Sequence, residues 1–589
     1  MAVLTVDTVL SGPALGLTSG LDDLFVYDTG GRMVLYGFNR GQSRVVELTI
    51  DANGDLTHAT TLQLAGSVAV GNSVQLGVMA LGGGNALTLA GIAPSAGQAV
   101  TLSPTGGLGA QTILPDLLTL RVPQSVTIGP ADVIVTGGFD GGLLHYADTG
   151  HGYHLTTSLA DDATRYLADL SASVTYALAG EIYVATASAS EDGLNLARVT
   201  ATGLDQTAVL GATEGLPIGT PADLAVVQRL NETVLVVAST GTSSVSTVLV
   251  QGTAPLLADH IFDSDATRFS GATTVAALTY GDAAYVAAGG AEGGVSLLTV
   301  LPGGRLVHLD SLAEDETLPL DQIGALEMQV QAGALHIYAG ALTETGLTHI
   351  TYDLSDTGSV LLADGSGTTT GTALGDQIIG TETADGLSGL GGDDILLDGA
   401  GADWLMGGAG ADLFVFSADQ TTDTITDFER GIDRLDLSAF DFLGDVSQLT
   451  VTPTATGATL VFRDETIEIT TADALPLTSG ELTNADILNV DRPSFLHANR
   501  TITGGPDPDT LTGGTGSDTI DGAGGNDTLT GNGGDDSLLG GGGLDLLYGN
   551  AANDTLNGQG GADTLVGGAG DDWLDGGDGA DVIYGDDWV

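Results

Sequence analysis

Aspartate recurs every nine residues near the end of this 589-residue chain, where Asp509, Asp518, Asp527, Asp536, Asp545, Asp554, Asp563, Asp572 and Asp581 share one unbroken register. An earlier stretch repeats the pattern with Asp376, Asp385, Asp394, Asp403 and Asp412. Two positions after each acid stands an apolar residue, from Ile378 and Leu387 in the first stretch to Leu574 and Ile583 in the second. Glycines precede most of the acids: Gly392, Gly399, Gly401, Gly408 and Gly410, then Gly514, Gly516, Gly525, Gly534, Gly541, Gly543, Gly561, Gly568, Gly570, Gly577 and Gly579. Carboxylates and glycine carbonyls at fixed spacing are hard oxygen donors. A site with about six such oxygens suits Ca²⁺, whereas Mg²⁺ demands a tighter octahedron and holds its waters.

The spacing also dictates the elements that carry these groups. Six residues make a turn and three a short strand, so successive repeats fall on opposite sides of a flattened right-handed roll. Repeats eighteen residues apart then stack on one side at the strand separation of about 4.8 Å. A cation between stacked turns takes glycine carbonyls and two carboxylates, and the apolar residues fill a thin core. Without the ion the stacked acids repel, so metal binding is expected to supply most of the folding energy. Nine consecutive repeats give seven same-side pairs and five give three, which sets the expectation of about ten ions. Leu374, Thr383, Asp507 and Ala552 stand where the later glycine of the repeat is expected, and the repeats of Asp376 and Asp385 are the weakest candidates.

These G-G-x-G-x-D-x-U-x nonapeptides (U apolar), most complete at Gly513-Gly514-Thr515-Gly516-Ser517-Asp518, resemble the RTX family of calcium-binding bacterial proteins. The resemblance implies export through a type I secretion apparatus and folding on calcium outside the cell. The segment Asp423-Thr-Ile-Thr-Asp427-Phe428-Glu-Arg-Gly431-Ile-Asp433-Arg-Leu-Asp436-Leu-Ser438 is similar to the one that closes the β-roll of serralysin-type proteases. That likeness implies that Asp423 and Asp427 complete terminal calcium sites. It covers the cap and not the enzyme, because neither H-E-x-x-H nor G-x-S-x-G occurs in the chain. Acylated pore-forming toxins are excluded as well, since they need lysines and an apolar pore-forming region.

Composition narrows the rest. The chain has 14 basic residues, all Arg, against 76 acidic ones, for a net charge of −62, and no Cys. Such a polyanion does not grip nucleic acid or an anionic membrane by Coulomb attraction. Thiol nucleophiles, disulfides, thiolate metal sites, Schiff bases and the P-loop lysine are all excluded. Apolar runs are strand-length, so no helical membrane insertion is expected. Arg32 is the first cation, which leaves no charged n-region for a cleaved signal peptide and favours an export route that does not read the N-terminus.

Ahead of the repeats, a strand, a Gly/Ser turn and a second strand recur seven times, starting near Met33, Ala86, Asp132, Glu181, Thr233, Ala283 and Ala334. Each hairpin follows another apolar run and most precede a fourth. Four strands per unit of about 50 residues, seven times, is the arithmetic of a seven-bladed β-propeller. The fold expected is all-β: a propeller over 1–365, a first parallel β-roll over 371–416, its β-rich cap over 417–490, a linker over 491–503 and a second β-roll over 504–589.

Other constellations are weaker. His145, His151 and His154 crowd one hairpin and could bind a transition metal, although solvent-facing positions on a blade explain them as well. The pairs Asp22-Asp23 and Asp161-Asp162 could do acid/base work, but acids are everywhere. Trp404, Trp573 and Trp588 read as packing, and Arg430, Arg434, Arg463, Arg492 and Arg500 as partners of nearby acids. The second roll has no cap. Either Tyr584, Trp588 and Val589 plug its end, or that end docks on another surface, a head-to-tail contact that would build homo-oligomers or filaments. Two functions stand open: a secreted calcium-binding protein with a structural, adhesive or matrix role, and a lactonase-type propeller hydrolase that uses the rolls for export. Acids or histidines converging on the propeller axis would favour the enzyme.

Overall fold

A computed structural model describes residues 2–585 apart from 12–19, 40, 65–68, 82–83, 94–96, 115–120, 129–130, 138–141, 149–152, 162–164, 212–215, 230–231, 252–253, 265, 316–317, 366, 441–442, 464, 493–500, 504–507, 509, 514–516, 533–535, 552 and 570–571. The chain divides into two units, Met1–Ser355 and Asp356–Val589.

The first unit contains seven four-stranded antiparallel sheets. The first blade runs in sequence order through Asp23–Asp28, Met33–Asn39, Arg44–Ile50 and Leu56–Gln63. The next five blades are built the same way, and their first strands touch one another in a closed ring. The hairpins recognised in the sequence are the second and third strands of each blade. In the sixth blade Ala283–Gly289 and Gly294–Val300 are buried at every position. Blades stacked on both faces leave no solvent side, so these strands read as continuous apolar runs and not as alternating ones. This is a seven-bladed propeller.

The seventh blade departs from the in-line order. Ile323–Gln331, Ala334–Ala341 and Gly346–Asp353 supply three strands, and the N-terminal strand Thr5–Ser11 supplies the outermost one. A ring closed by chain ends from both sides removes the open edge that either end would leave.

The second unit is a parallel solenoid whose strands begin at Thr357, so Thr357–Leu362 and Thr368–Thr370 precede the expected start at 371 and already lie in the roll's two sheets. One sheet continues through Gly375–Ile379, Ile395–Leu397, Leu413–Val415 and Arg434–Asp436. The other continues through Gly386–Gly391, Trp404–Ala409 and Thr422–Phe428. Glu465–Thr471 then extends this second sheet in parallel, and Gly457–Phe462 and Thr450–Pro453 turn it antiparallel. Ile378, Leu387, Leu396, Leu405 and Phe414 fill the roll and join Phe428, Leu435, Leu460 and Ile467 of the closing segment. Residues 501–584 form two facing five-stranded parallel sheets around a single file of fully buried Ile520, Leu529, Leu538, Leu547, Leu556 and Leu565.

Candidate calcium centres

In the rolls the D-x-U spacing turns the acid and its apolar follower to the same inward face. The carboxylates are therefore buried, with Asp394 at 0%, Asp412 at 1% and Asp563 at 1% exposure. Oδ1 of Asp394, Asp403 and Asp412 accepts the backbone N–H of Asp376, Asp385 and Asp394 at 2.7, 2.6 and 2.9 Å. In the second roll Asp536, Asp545, Asp554, Asp563, Asp572 and Asp581 accept in the same way from Asp518, Asp527, Asp536, Asp545, Asp554 and Asp563, at 2.7 to 3.0 Å. Every one of these links spans eighteen residues, the same-side stacking expected.

The second carboxylate oxygen is the chemically open one. Oδ2 of Asp394, Asp403, Asp412, Asp545 and Asp563 is buried and has no hydrogen-bond partner. An anionic oxygen enclosed without a donor costs several kcal/mol unless it is protonated or meets a cation. The backbone around it is shaped to leave room. A Cβ placed on Gly389 would lie 2.0 Å from Oδ2 of Asp394 and 2.5 Å from the carbonyl oxygen of Gly407. Gly558 stands in the same relation to Asp563 and the Gly576 carbonyl, at 2.5 and 2.6 Å. Carboxylate oxygen and carbonyl oxygen thus converge on one glycine-lined space, which fits a hard divalent cation. Gly389, Gly407, Gly513, Gly522, Gly531, Gly540, Gly549, Gly558, Gly567 and Gly576, five residues ahead of their aspartates, were not among the expected ligand residues. Their recurrence in the sequence was the available signal.

The glycines that were expected serve the turn. Gly399, Gly408, Gly541, Gly568 and Gly577 have φ between +84° and +106°, and Gly392, Gly401, Gly410, Gly525, Gly543, Gly561 and Gly579 lie between +99° and +157°. The geometry is imposed by the roll, because Leu390 and Asn550 occupy such positions with φ of 77°. Asp509, Gly514, Gly516, Gly534 and Gly570 lie outside the described residues, as do Asp507 and Ala552.

Asp376 and Asp385 differ from the other repeats. Oδ2 of Asp376 accepts the N–H and hydroxyl of Thr372, at 2.5 and 2.9 Å, and Oδ2 of Asp385 those of Thr381, at 2.6 and 2.7 Å. A threonine four residues before the acid thus donates to the oxygen that has no partner in Asp394, Asp403 and Asp412.

The stack continues into the closing segment. Asp423 Oδ1 accepts the N–H of Asp403 at 3.0 Å and Asp433 Oδ1 that of Asp412 at 3.1 Å. Asp433 was not among the expected site residues, because longer loops break the nine-residue register, although Asp433-x-Leu435 preserves the D-x-U spacing. Asp427 sits differently, accepting the N–H groups of Gly407 and Gly408 at 3.1 and 2.9 Å. Asp398, which stands where a repeat's first glycine belongs, places a carboxylate oxygen within 4.8 Å of those of Asp403 and Asp423, all three buried. Burial above all, helped by neighbouring carboxylates, pushes Asp394 and Asp403 up to about 8 and Asp423 and Asp433 up to about 7.

The propeller axis carries three further acids. Asp23, Asp223 and Glu327 lie on first strands of the first, fifth and seventh blades, and burial raises all three, Asp223 to about 6 and Glu327 to about 7. The charge of Asp223 reaches both Asp23 and Glu327 across the ring, so they face the axis. Each is tied to the next blade: Glu327 accepts Val26 N–H at 3.2 Å, Asp23 that of Leu76, and Asp223 that of Val275 at 3.0 Å. Among the described residues these acids do not bring three ligand atoms within 4.8 Å of one another.

The weaker expectations resolve individually. His145 is buried and not solvent-facing, with its ring nitrogens meeting the Thr156 hydroxyl and the Thr200 carbonyl, whereas His154 is exposed. Asp161 accepts the N–H of Leu167 at 3.1 Å. Trp404 and Trp573 stand on the outer face of the strands, 38% and 54% exposed, and do not pack in the roll. Arg430 pairs with Asp473 and Glu481, and Arg492 with Asp436. His151, Asp162, Arg500, Trp588 and Val589 lie outside the described residues.

Comparison with known proteins agrees with this geometry. Residues 362–488 match the family model described as Peptidase M10 serralysin C terminal. Residues 501–529, 530–565 and 557–587 match the RTX calcium-binding nonapeptide repeat. No curated protein matches the chain. Among solved structures, that of an arginine-to-alanine triple mutant of AofleA from Arthrobotrys oligospora aligns with 53% of this chain and 91% of its own at 11% identity, with a TM-score of 0.34. Two stretches of the second unit are thus similar to RTX calcium-binding repeats and to a serralysin-type C-terminal region.

Proposed function

We propose that the protein is a secreted, structural calcium-binding protein whose rolls stay unfolded in a low-calcium cytosol and fold on about ten Ca²⁺ ions after export. The observation that carries this reading is the row of buried Oδ2 atoms without donors, those of Asp394, Asp545 and Asp563 each over a glycine and beside a carbonyl oxygen. Asp394, Asp403, Asp412, Asp423, Asp433 and their second-roll counterparts would hold the ions. When bound, the cation replaces the repulsion of stacked carboxylates with attraction, and the single-file core then suffices. Acids at the propeller axis are the feature that speaks for the hydrolase alternative, and the backbone N–H groups of adjoining blades that Glu327 and Asp223 accept weigh against it. We also propose that the folded chains self-associate, with the 48% exposed Ile583 of the second roll as part of the contact.

Circular dichroism and light scattering on the full chain, first with chelator and then across a calcium titration, test the reading. Calcium should restore a large part of the strand signal cooperatively, and scattering should then rise with protein concentration. A chelated protein with its full strand signal overturns calcium-dependent folding. A folded protein that stays monomeric at high concentration overturns self-association alone.

A further inference from the structure

The seventh blade holds a second kind of donor set. Asp7 lies on the N-terminal strand, His349 on the neighbouring strand Gly346–Asp353, and Asp55 on the turn before the last strand of the first blade. One ligand atom from each lies within 4.8 Å of the other two. The pairing register slips between Val6 and Thr8, so Asp7 is a bulged residue beside His349. Bulges re-aim a side chain locally. The Asp55 turn is held firmly, since Tyr338 donates to the Gly54 carbonyl at 2.7 Å and Gln331 to the Asp51 carbonyl at 2.7 Å.

Hydrogen-bond polarity fixes what faces what. His336 Nε2 lies 3.1 Å from the Gln331 carbonyl, which only accepts, so this nitrogen carries the proton of a neutral ring. His336 Nδ1 is then an acceptor, and His349 Nε2, at 2.8 Å, must donate to it. That leaves the Nδ1 lone pair of a neutral His349 directed at Asp7 Oδ2, 3.1 Å away. Asp7 and Asp55 also meet carboxyl to carboxyl. Burial and the contact with Asp7 raise Asp55, so a proton on Asp55 bridges the two carboxyls, and once that proton leaves, three acceptors face one another. The third blade shows the contrast. There His145 Nδ1 meets the hydroxyl of Thr156, the bulged residue at the matching place, and a hydroxyl can donate.

We propose that Asp7, Asp55 and His349 form a site for a divalent transition cation of the zinc type, which bolts the N-terminal strand to the seventh and first blades. An imidazole with two carboxylates suits Zn²⁺ better than Ca²⁺, which prefers oxygen alone. His336 orients the ligating imidazole through its other nitrogen, as outer partners of metal-bound histidines do. The Asp7 side chain is 40% exposed, which leaves room for water as a remaining ligand.

Calorimetric titration of the full chain with ZnCl₂ tests this, with calcium held saturating so that the rolls are filled. The wild type should bind one Zn²⁺ that Asp55→Ala and His349→Gln weaken by about tenfold or more, and zinc should raise the propeller's melting temperature in the wild type only. Asp55 lies on a turn, so its variant keeps the test valid if the His349 variant folds poorly. Equal zinc binding by wild type and Asp55→Ala overturns the site. So does the absence of zinc binding together with an imidazolium signal for His349 at neutral pH, which would make the pair a plain salt bridge.

Discussion

Oδ1 of Asp412 accepts the N–H of Asp394 at 2.9 Å, and this single link aims the second oxygen of Asp412 over Gly407, where a Cβ would come within 2.1 Å of it. One hydrogen bond sets the strand register, orients the carboxylate and leaves one oxygen for a cation. The glycine at that place is required for space, since any Cβ there would meet the carboxylate.

Gly389→Ala should therefore damage a calcium site without disturbing strand propensity. Its Cβ would sit 2.0 Å from Asp394 Oδ2, and the carboxylate must move away. Calcium titration should show that turn's affinity weakened by about tenfold or more, the scale seen when metal ligands are misplaced. Gly542→Ala, whose Cβ would meet nothing within 4 Å, is the control, with an expected change within about 0.5 kcal/mol. Equal losses in both variants would refute the assignment.

In chelator, acid should help the rolls fold. Burial and neighbouring carboxylates raise Asp394 and Asp403 to about 8 in the folded state, against an ordinary value near 3.8. The folded chain then holds more protons between about pH 4 and pH 8, so metal-free stability is present at the acid end and is lost as pH rises through that window. Strand signal in chelator should grow on going from pH 8 to pH 5, whereas calcium affinity should fall over the same change because ions and protons compete. Identical chelated spectra at the two pH values would contradict the buried geometry.

Removing residues 1–11 should destabilise the seventh blade. The seventh blade would lose Thr5–Ser11, its outermost strand, and expose an unpaired edge along Gly346–Asp353. The loss of several backbone hydrogen bonds predicts a propeller melting temperature lower by about 10 °C or more. Calcium binding by the rolls should persist. An unchanged melting temperature would show that three strands suffice to close the blade.

Asp223→Ala should destabilise the propeller by about 2–3 kcal/mol, because it strands the N–H of Val275 and the hydroxyl of Thr274, both held at 3.0 Å. Asp223→Asn keeps an acceptor oxygen and should cost less. Thermal unfolding of the two variants in saturating calcium gives the comparison, and a more stable Ala variant would mean that the axial charge is a net burden.

The sequence by itself determined the repeats. Nine-residue periodicity gives the two-sided roll, D-x-U turns acid and apolar residue inward together, and absent lysine and cysteine remove whole classes of chemistry. Seven hairpins at a near-constant interval gave the blades, because local strand and turn preferences are written in neighbouring residues. What lay beyond was decided by contacts between residues far apart. Thr5 pairs with Thr351, a closure that no local pattern announces. Asp433 joins the stack only after a loop breaks the register. Asp7, Asp55 and His349 meet only because the ring closes, since a propeller brings its first and last blades together and so places chain-distant side chains in one pocket of charge. Periodicity is a property of sequence; convergence of unlike donors is a property of the closed fold.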